Sequence, residues 1–234
     1  MTHWIARLRA LSTGRFVAQY QSAISDIRLA LQQEATQSTA RYVREHMYRV
    51  QSVDSWRAVH DVAIDHVRLN GLVLEFGVYK ARTTAHIAGR RDWQVHGFDS
   101  FDGLPEPWRD GYPQATFALP ALPALPEVPA NVTLHKGLFA DTLPGFLAAL
   151  PAPPAPVAYL HVDSDLYSSA KCIFEHLADR IVPGTVIVFD EYFNYSGWED
   201  GEFRAFQEFI AARGVGYDYL CYNHEHQQVA VQIT

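Results

Sequence analysis

Two acidic pairs close two apolar runs in this 234-residue chain: Asp163 and Asp165 follow Val157–Val162, and Asp190 and Glu191 follow Thr185–Phe189. Runs of this length, dominated by Val, Ile, Leu and aromatic residues, read as short buried strands. If the two strands are parallel neighbours, four carboxylates converge at the carboxyl edge of a sheet, where open α/β folds place their ligands. Such a cluster repels itself unless a cation or shared protons offset the charge. Oxygen donors of this kind suit a hard dication, which lowers the pKa of a hydroxyl beside it and orients a neighbouring diol. A remaining carboxylate can then take the proton. Asp165 is the residue expected to do so, although its place just before Leu166-Tyr-Ser-Ser would equally let it cap the next helix.

A second group of polar residues lies upstream. In Glu75-Phe-Gly77-Val-Tyr79-Lys-Ala81 an acidic residue ends an apolar run, a glycine-containing turn follows, and then a helix. G-x-G-x-x-G is absent, and a carboxylate facing a pyrophosphate would be repelled, so a nicotinamide dinucleotide is disfavoured. A cationic amine would suit Glu75, and free N–H groups at Arg82-Thr83-Thr84 could receive a carboxylate. Asp99, ending the next apolar run, could accept the two hydroxyls of a ribose. An amino acid joined to a ribose describes S-adenosylmethionine.

These residues need a scaffold of alternating strands and helices. The spacing of Val59, Val62, Ala63, His66 and Val67 predicts one helix face, ended by Asn70-Gly71. Strands follow at Leu72–Phe76, at Gln94–Phe98 ending in Asp99, and at Val132–His135, with a helix over Thr142–Leu150. The two acid-terminated strands come next, separated by a helix from about Ser168 to Arg180, which Pro183-Gly184 breaks. A helix over Glu202–Ala212 leads to an antiparallel hairpin, Tyr217–Tyr222 and Gln228–Ile233. The pattern predicts an α/β fold: a doubly wound, Rossmann-like, seven-stranded, mostly parallel sheet with an antiparallel C-terminal hairpin. Residues 1–60 read as a helical N-terminal extension, capping the substrate or forming an oligomer contact, and residues 61–234 as the catalytic domain. Twelve of the thirteen prolines lie between Pro105 and Pro156, which makes that region loop-rich, with a lid expected over about 102–130.

Bulk properties narrow the classes further. A formal charge of −7 without a Lys/Arg cluster argues against a nucleic-acid surface. No apolar run approaches the length of a membrane span, and no apolar stretch follows Arg7 and Arg9 as a signal peptide would require. Cys172 and Cys221 stand apart and outside any CxxC, as free thiols of a reducing compartment do. The expectation is a cytoplasmic protein with no membrane or nucleic-acid partner. His224-Glu-His226 reads as a polar hairpin turn rather than a metal site, and Trp108, Tyr192, Phe193, Tyr195 and Trp198 could either stack on an acceptor ring or pack internally.

The chain resembles the class I S-adenosylmethionine-dependent methyltransferases, and more closely the macrocin O-methyltransferase (TylF-type) family. The resemblance rests on Leu74-Glu-Phe-Gly-Val-Tyr, Gly97-Phe-Asp-Ser-Phe-Asp-Gly-Leu-Pro, Gly137 with Asp141-Thr-Leu-Pro, His161-Val-Asp-Ser-Asp-Leu-Tyr and Val186-Ile-Val-Phe-Asp-Glu-Tyr, and runs from about Gly71 to Ile233. It departs at Ala81, where glycine is usual, and at Glu191, where aspartate is common. It implies Mg²⁺-dependent methylation of a hydroxyl on a small, sugar-bearing natural product. It also implies Mg²⁺ ligands Asp163, Asp190 and Glu191, a base at Asp165, and cofactor contacts from Glu75, Gly77, Tyr79, Thr83, Asp99, Ser100, Asp141 and Asp163. His161, two residues before Asp163 on the same strand face, reads first as a hydrogen-bonded residue of the core or behind the metal, and is also a candidate for the base or for a place near the metal. Alternatives are N-methylation, nicotinamide-dependent oxidoreduction, and a non-catalytic cofactor-binding role.

Overall fold

The computed structural model describes residue 17 and residues 25–119 and 125–234. The remaining part of the expected N-terminal helical extension and of the expected lid lies outside the described residues. Strands β1 (Gln51–Val53), β2 (Leu72–Phe76), β3 (Val95–Asp99), β4 (Val132–Lys136), β5 (Val157–Val162), β6 (Val186–Phe189), β7 (Tyr217–Asn223) and β8 (Val229–Ile233) form one sheet. Their order is β1-β7-β8-β6-β5-β2-β3-β4. All pairings are parallel except those of β8 with β6 and β7. The sheet therefore has eight strands rather than the seven expected. The extra one, β1, is only three residues long, too short for its apolar pattern to stand out, and it is ordered by parallel pairing on β7.

Described helices are α1 (Ile27–His46), α2 (Trp56–His66), α3 (Arg82–Arg90), α4 (Phe139–Ala149), α5 (Tyr167–Leu177) and α6 (Glu202–Arg213). Successive strand residues face opposite sides, and both sides are covered. Leu74, Phe76, Leu160 and Phe189 pack with Ile173, Phe174 and Leu177 of α5 and Phe206 of α6. Val73, Tyr159 and Val188 pack with Val59, Ala63 and Ile64 of α2 and Ile87 of α3. The doubly wound architecture follows from these two apolar layers. From β2 the chain proceeds outward to β3 and β4, whereas β5 returns to the other side of β2 and continues to β6. The switch point thus lies between β2 and β5.

The N-terminal helix α1 packs on the segment that follows β6. Thr39 Oγ1 accepts from the Asn194 N–H at 2.9 Å, Ser38 Oγ accepts from Trp198 Nε1 at 2.9 Å, and the Tyr42 and Tyr219 hydroxyls share a hydrogen bond. Tyr192, Phe193, Tyr195 and Trp198 are buried in this packing, so they are not free to stack on an acceptor. No described helix is long and apolar enough to cross a membrane.

Candidate active site

The carboxyl ends of β2, β3, β5 and β6 open into a cavity of about 400 Å³. The β2–α3 turn forms one wall. Gly77 has φ +95°, and a Cβ on it would lie 1.7 Å from the Asp163 carbonyl oxygen, so only glycine lets this turn close against the end of β5. The Asp163 N–H in turn donates to the Phe76 carbonyl at 2.9 Å. Ala81, the N-cap of α3, has φ +58°, a left-handed conformation that explains why glycine would serve well there.

Asp99 terminates β3 and is held by backbone donors. Its Oδ2 accepts from the Val78 and Tyr79 N–H groups at 2.9 and 2.7 Å, and its Oδ1 from Phe101 N–H at 2.6 Å. A carboxylate can accept about four hydrogen bonds, so acceptor capacity remains on the cavity side. Ser100, Tyr79 and Gly77 line the same wall, and Leu104, Pro105 and Phe117 from the proline-rich loop close the space above it. Leu138, Phe139 and Ala140 at the start of α4 complete the apolar part. These last residues carry no polar signature, so sequence reasoning had no means of finding them.

The opposite wall is acidic. Asp163, Asp165, Asp190 and Glu191 all line the cavity. Burial raises the Asp165 carboxyl to about 7, with Asp190 adding to the rise and the Arg109 guanidinium opposing it. Asp163 and Glu191 are pushed well above the usual carboxylate range, first by burial and then by the neighbouring Asp190 charge. Asp165 does not cap α5, whose N-cap residue is Leu166; it adopts φ +60° instead. Positive φ in an aspartate beside a cavity is an uncommon conformation, fixed here by its surroundings. Asp190 Oδ1 accepts from Gln228 Nε2 at 3.0 Å. A fifth acid, missed at the sequence level, supports the wall from behind. Buried Glu202 at the start of α6 accepts from Ser164 N–H at 2.9 Å and from Ser164 Oγ at 3.0 Å. Burial raises it to about 8, while the Ser164 N–H opposes that rise. An acidic residue opening a helix is the one signal that could have flagged it.

Four residues singled out from the sequence do not line this cavity. Glu75 is not the last residue of β2; it lies one position inside, fully buried, with Oε1 3.0 Å from His161 Nδ1. It lies two residues before Gly77, in register with His161 of β5, and presents no surface to the cavity. Thr83 is half-buried on α3, while its neighbour Thr84 is the buried one. Asp141 is exposed in the first turn of α4, where its charge suits the helix dipole instead. His161 is fully buried in β5, beneath the acidic wall. A ring nitrogen of His161 and one carboxylate oxygen each from Asp163 and Asp190 lie within 4.8 Å of one another. Glu191 lies outside that trio, and its Oε2 is buried without a hydrogen-bond partner. The expected metal set of Asp163, Asp190 and Glu191 is therefore not the set that the side chains bring closest. His224 and His226 are exposed in the β7–β8 turn and join no such cluster among the described residues.

A doubly wound sheet with its antiparallel strand near one edge, a glycine turn at the switch point and an acid at the end of β3 define a Rossmann-like nucleoside-binding class. Residues 30–192 match the family model described as a methyltransferase domain, and the chain belongs to that family. A relative, the 8-demethyl-8-(2,3-dimethoxy-alpha-L-rhamnosyl)-tetracenomycin-C 4'-O-methyltransferase of Streptomyces olivaceus, is 32% identical over 123 residues. That match covers 44% of this chain and 42% of the relative, so the chain matches less than half the length of that protein. Among solved structures, the calicheamicin methyltransferase CalS11 superposes with a TM-score of 0.60 at 21% identity, covering 75% of this chain and 77% of that one. The O-methyltransferase NovP gives 0.52 at 24% identity, covering 75% and 76%. These two likenesses bear on the fold.

Proposed function

We propose that the protein is a Mg²⁺-dependent O-methyltransferase that uses S-adenosylmethionine on a hydroxyl of a small, sugar-bearing natural product. The observation that carries the reading is the opposition of two walls in one cavity. One is a glycine turn with an amide-clamped Asp99; the other is a set of carboxylates raised by burial and mutual repulsion. Asp99 would accept the ribose hydroxyls, Gly77 and Tyr79 would border the amino acid portion, and Leu138 and Phe139 would cover the base. Bound there, S-adenosylmethionine supplies an electrophilic sulfonium methyl group. Asp165, at the cavity surface, would take the acceptor's proton as its oxygen bonds to that methyl and the sulfur departs as a thioether. Burial is the first cause of the rise at the Asp165 carboxyl, so that part of the rise favours proton uptake even where a cation offsets the Asp190 charge.

The donor chemistry fits a dication. Asp163 and Asp190 present hard oxygens to one point, and a cation there would offset the repulsion that raises the cluster. Asp163 and Asp190 would hold it, with Glu191 assigned by the family resemblance as the third ligand. Such an ion supplies the positive charge that lowers an acceptor hydroxyl's pKa. The acceptor class is supported by the Streptomyces olivaceus relative, whose named reaction is O-methylation of a rhamnosyl-tetracenomycin. Residues 1–60 are read as an extension of the domain at 61–234, with α1 bracing the segment after Glu191.

Calorimetric titration with S-adenosylmethionine, in Mg²⁺ and again in EDTA with NAD as control, tests the reading. Binding of S-adenosylmethionine, followed by Mg²⁺-dependent methylation of rhamnosylated acceptors, is the expected result. Failure to bind, or preference for NAD, would overturn it.

A further inference from the structure

His161 is the central candidate here. It lies in the middle of the sheet, two residues before Asp163, and is fully buried. Its Nδ1 sits 3.0 Å from Glu75 Oε1. Its Nε2 is buried with no hydrogen-bond partner. An unmade hydrogen bond in the interior is costly, and His161 Nε2 carries that cost, as does Nε2 of the adjacent His60. Donation from Nδ1–H to the Glu75 carboxylate fixes the tautomer, which leaves the Nε2 lone pair free. His60 packs edge-on against the ring at 4.5 Å between centroids, and burial pushes its own pKa down, so a neutral group lies behind His161. A carboxylate that orients a histidine whose other nitrogen is unpartnered is the arrangement commonly found behind histidine metal ligands.

We propose that His161 supplies a nitrogen ligand to the cation held by Asp163 and Asp190, and that Glu75 is the positioning residue that orients it. This rests on the cation reading above and replaces its all-oxygen trio with a mixed nitrogen and oxygen set. The 4.8 Å grouping of His161, Asp163 and Asp190 carries it, because Glu191 stands outside that group. It also assigns a task to Glu75, which is buried against His161 and does not line the cavity. A nitrogen donor shifts preference from Mg²⁺ toward Mn²⁺ and Co²⁺, which accept imidazole more readily. Mn²⁺ would then fill the site more tightly than Mg²⁺.

The test uses Mn²⁺ alone with the full chain. Mn²⁺ and Mg²⁺ affinities are measured by calorimetry, and spin-echo electron paramagnetic resonance of the Mn²⁺-loaded protein reads nitrogen coupling. Repeating the spectrum with protein grown on histidine carrying the heavy nitrogen isotope identifies the coupling as histidine without any substitution. The expected result is tighter binding of Mn²⁺ than of Mg²⁺, with a histidine coupling that disappears in His161→Gln. Glu75→Gln should weaken Mn²⁺ by about tenfold or more, as loss of an orienting carboxylate does, with an unchanged melting temperature. Mn²⁺ bound without histidine coupling overturns the inference while leaving the cation reading intact. Failure of wild-type protein to bind either ion overturns both. A histidine coupling that persists in folded His161→Gln overturns the assignment to His161.

Discussion

The two walls of the cavity place carboxylates at equivalent positions, the ends of parallel strands, and treat them in opposite ways. Asp99 at the end of β3 accepts three backbone N–H groups, so its charge is matched by fixed dipoles before any ligand arrives. Across the cavity, Asp163, Asp165, Asp190 and Glu191 crowd one another at the ends of β5 and β6, with Glu202 behind them, and Arg109 is the cation that opposes the rise at Asp165. The first wall is satisfied and rigid, while the second is frustrated. A folded chain retains such frustration where a ligand relieves it or where a displaced pKa is used. The satisfied wall is thus suited to recognising the constant part of a ligand, and the frustrated wall to performing the chemistry.

If that contrast is right, substitutions on the two walls should change stability with opposite signs. The largest effect on function is expected from Asp165→Asn, with turnover falling by roughly 10²–10⁴-fold, as loss of a general base does. The same substitution removes one member of a repelling cluster, so the metal-free protein should melt at a higher temperature than wild type, measured by calorimetric scanning. A lower melting temperature would show that the acidic wall is not frustrated. Gly77→Ala breaks the junction between the walls. Its Cβ would collide with the Asp163 carbonyl, and alanine at φ +95° adds backbone strain of about 1–3 kcal/mol. Loss of S-adenosylmethionine binding together with a lower melting temperature is expected, and normal binding affinity would show that the turn can open.

Asp99→Ala should leave three amides without their acceptor, costing about 1–3 kcal/mol for each one that water cannot reach. Lower stability and weaker S-adenosylmethionine binding should appear together. Asp99→Asn, which keeps one acceptor oxygen, should lie between alanine and wild type. Equal melting temperatures for Asp99→Ala and wild type would remove the distinction between a satisfied wall and a frustrated one.

How far the sequence revealed these walls depends on the kind of signal each residue leaves. Strands β2, β3, β5 and β6 were legible because each is an apolar run ended by a polar break, and Asp163, Asp190 and Asp99 were legible as those breaks. Glu75 shows the limit of that logic. The strand continues one residue past it to Phe76, and a shift of one position turns a side chain to the opposite face. Glu75 is the lone charged side chain of buried β2 and His161 the lone histidine of buried β5, and paired register brings them together. That correspondence could have been read only once β2 and β5 were known to be neighbours. Glu202 and the apolar residues at 138–140 were hidden for a different reason. Their roles come from tertiary placement, through Ser164 and the mouth of the cavity, and no local pattern distinguishes them.

The smallest expected effect concerns the sheet edge beyond the satisfied wall. His96 on β3 and His135 on β4 lie side by side, with Nδ1 of the first 3.2 Å from Nε2 of the second. Phe146 packs against both rings. Burial lowers the pKa of each, and His135 adds to the lowering at His96. Both therefore resist protonation in the folded state more than in the unfolded chain, whose histidines titrate near 6.5. A depressed folded pKa means that the unfolded state binds more protons below that value, so stability falls as pH drops. The contribution is fully present above about 6.5 and is lost progressively below it, toward the lowered folded values. The raised carboxyls of the acidic wall favour folding as pH falls and act the other way, so the pair is read as a difference. Between pH 7.5 and 5.5, roughly one unit either side of the unfolded value, the melting temperature of wild type should fall relative to that of His135→Gln. His135→Gln removes one of the two groups, while S-adenosylmethionine affinity at pH 7.5, about a unit above that value, stays unchanged. The carboxyls of the acidic wall are common to both proteins and cancel in that difference, so the same pH dependence in variant and wild type would remove the pair as a source of acid sensitivity.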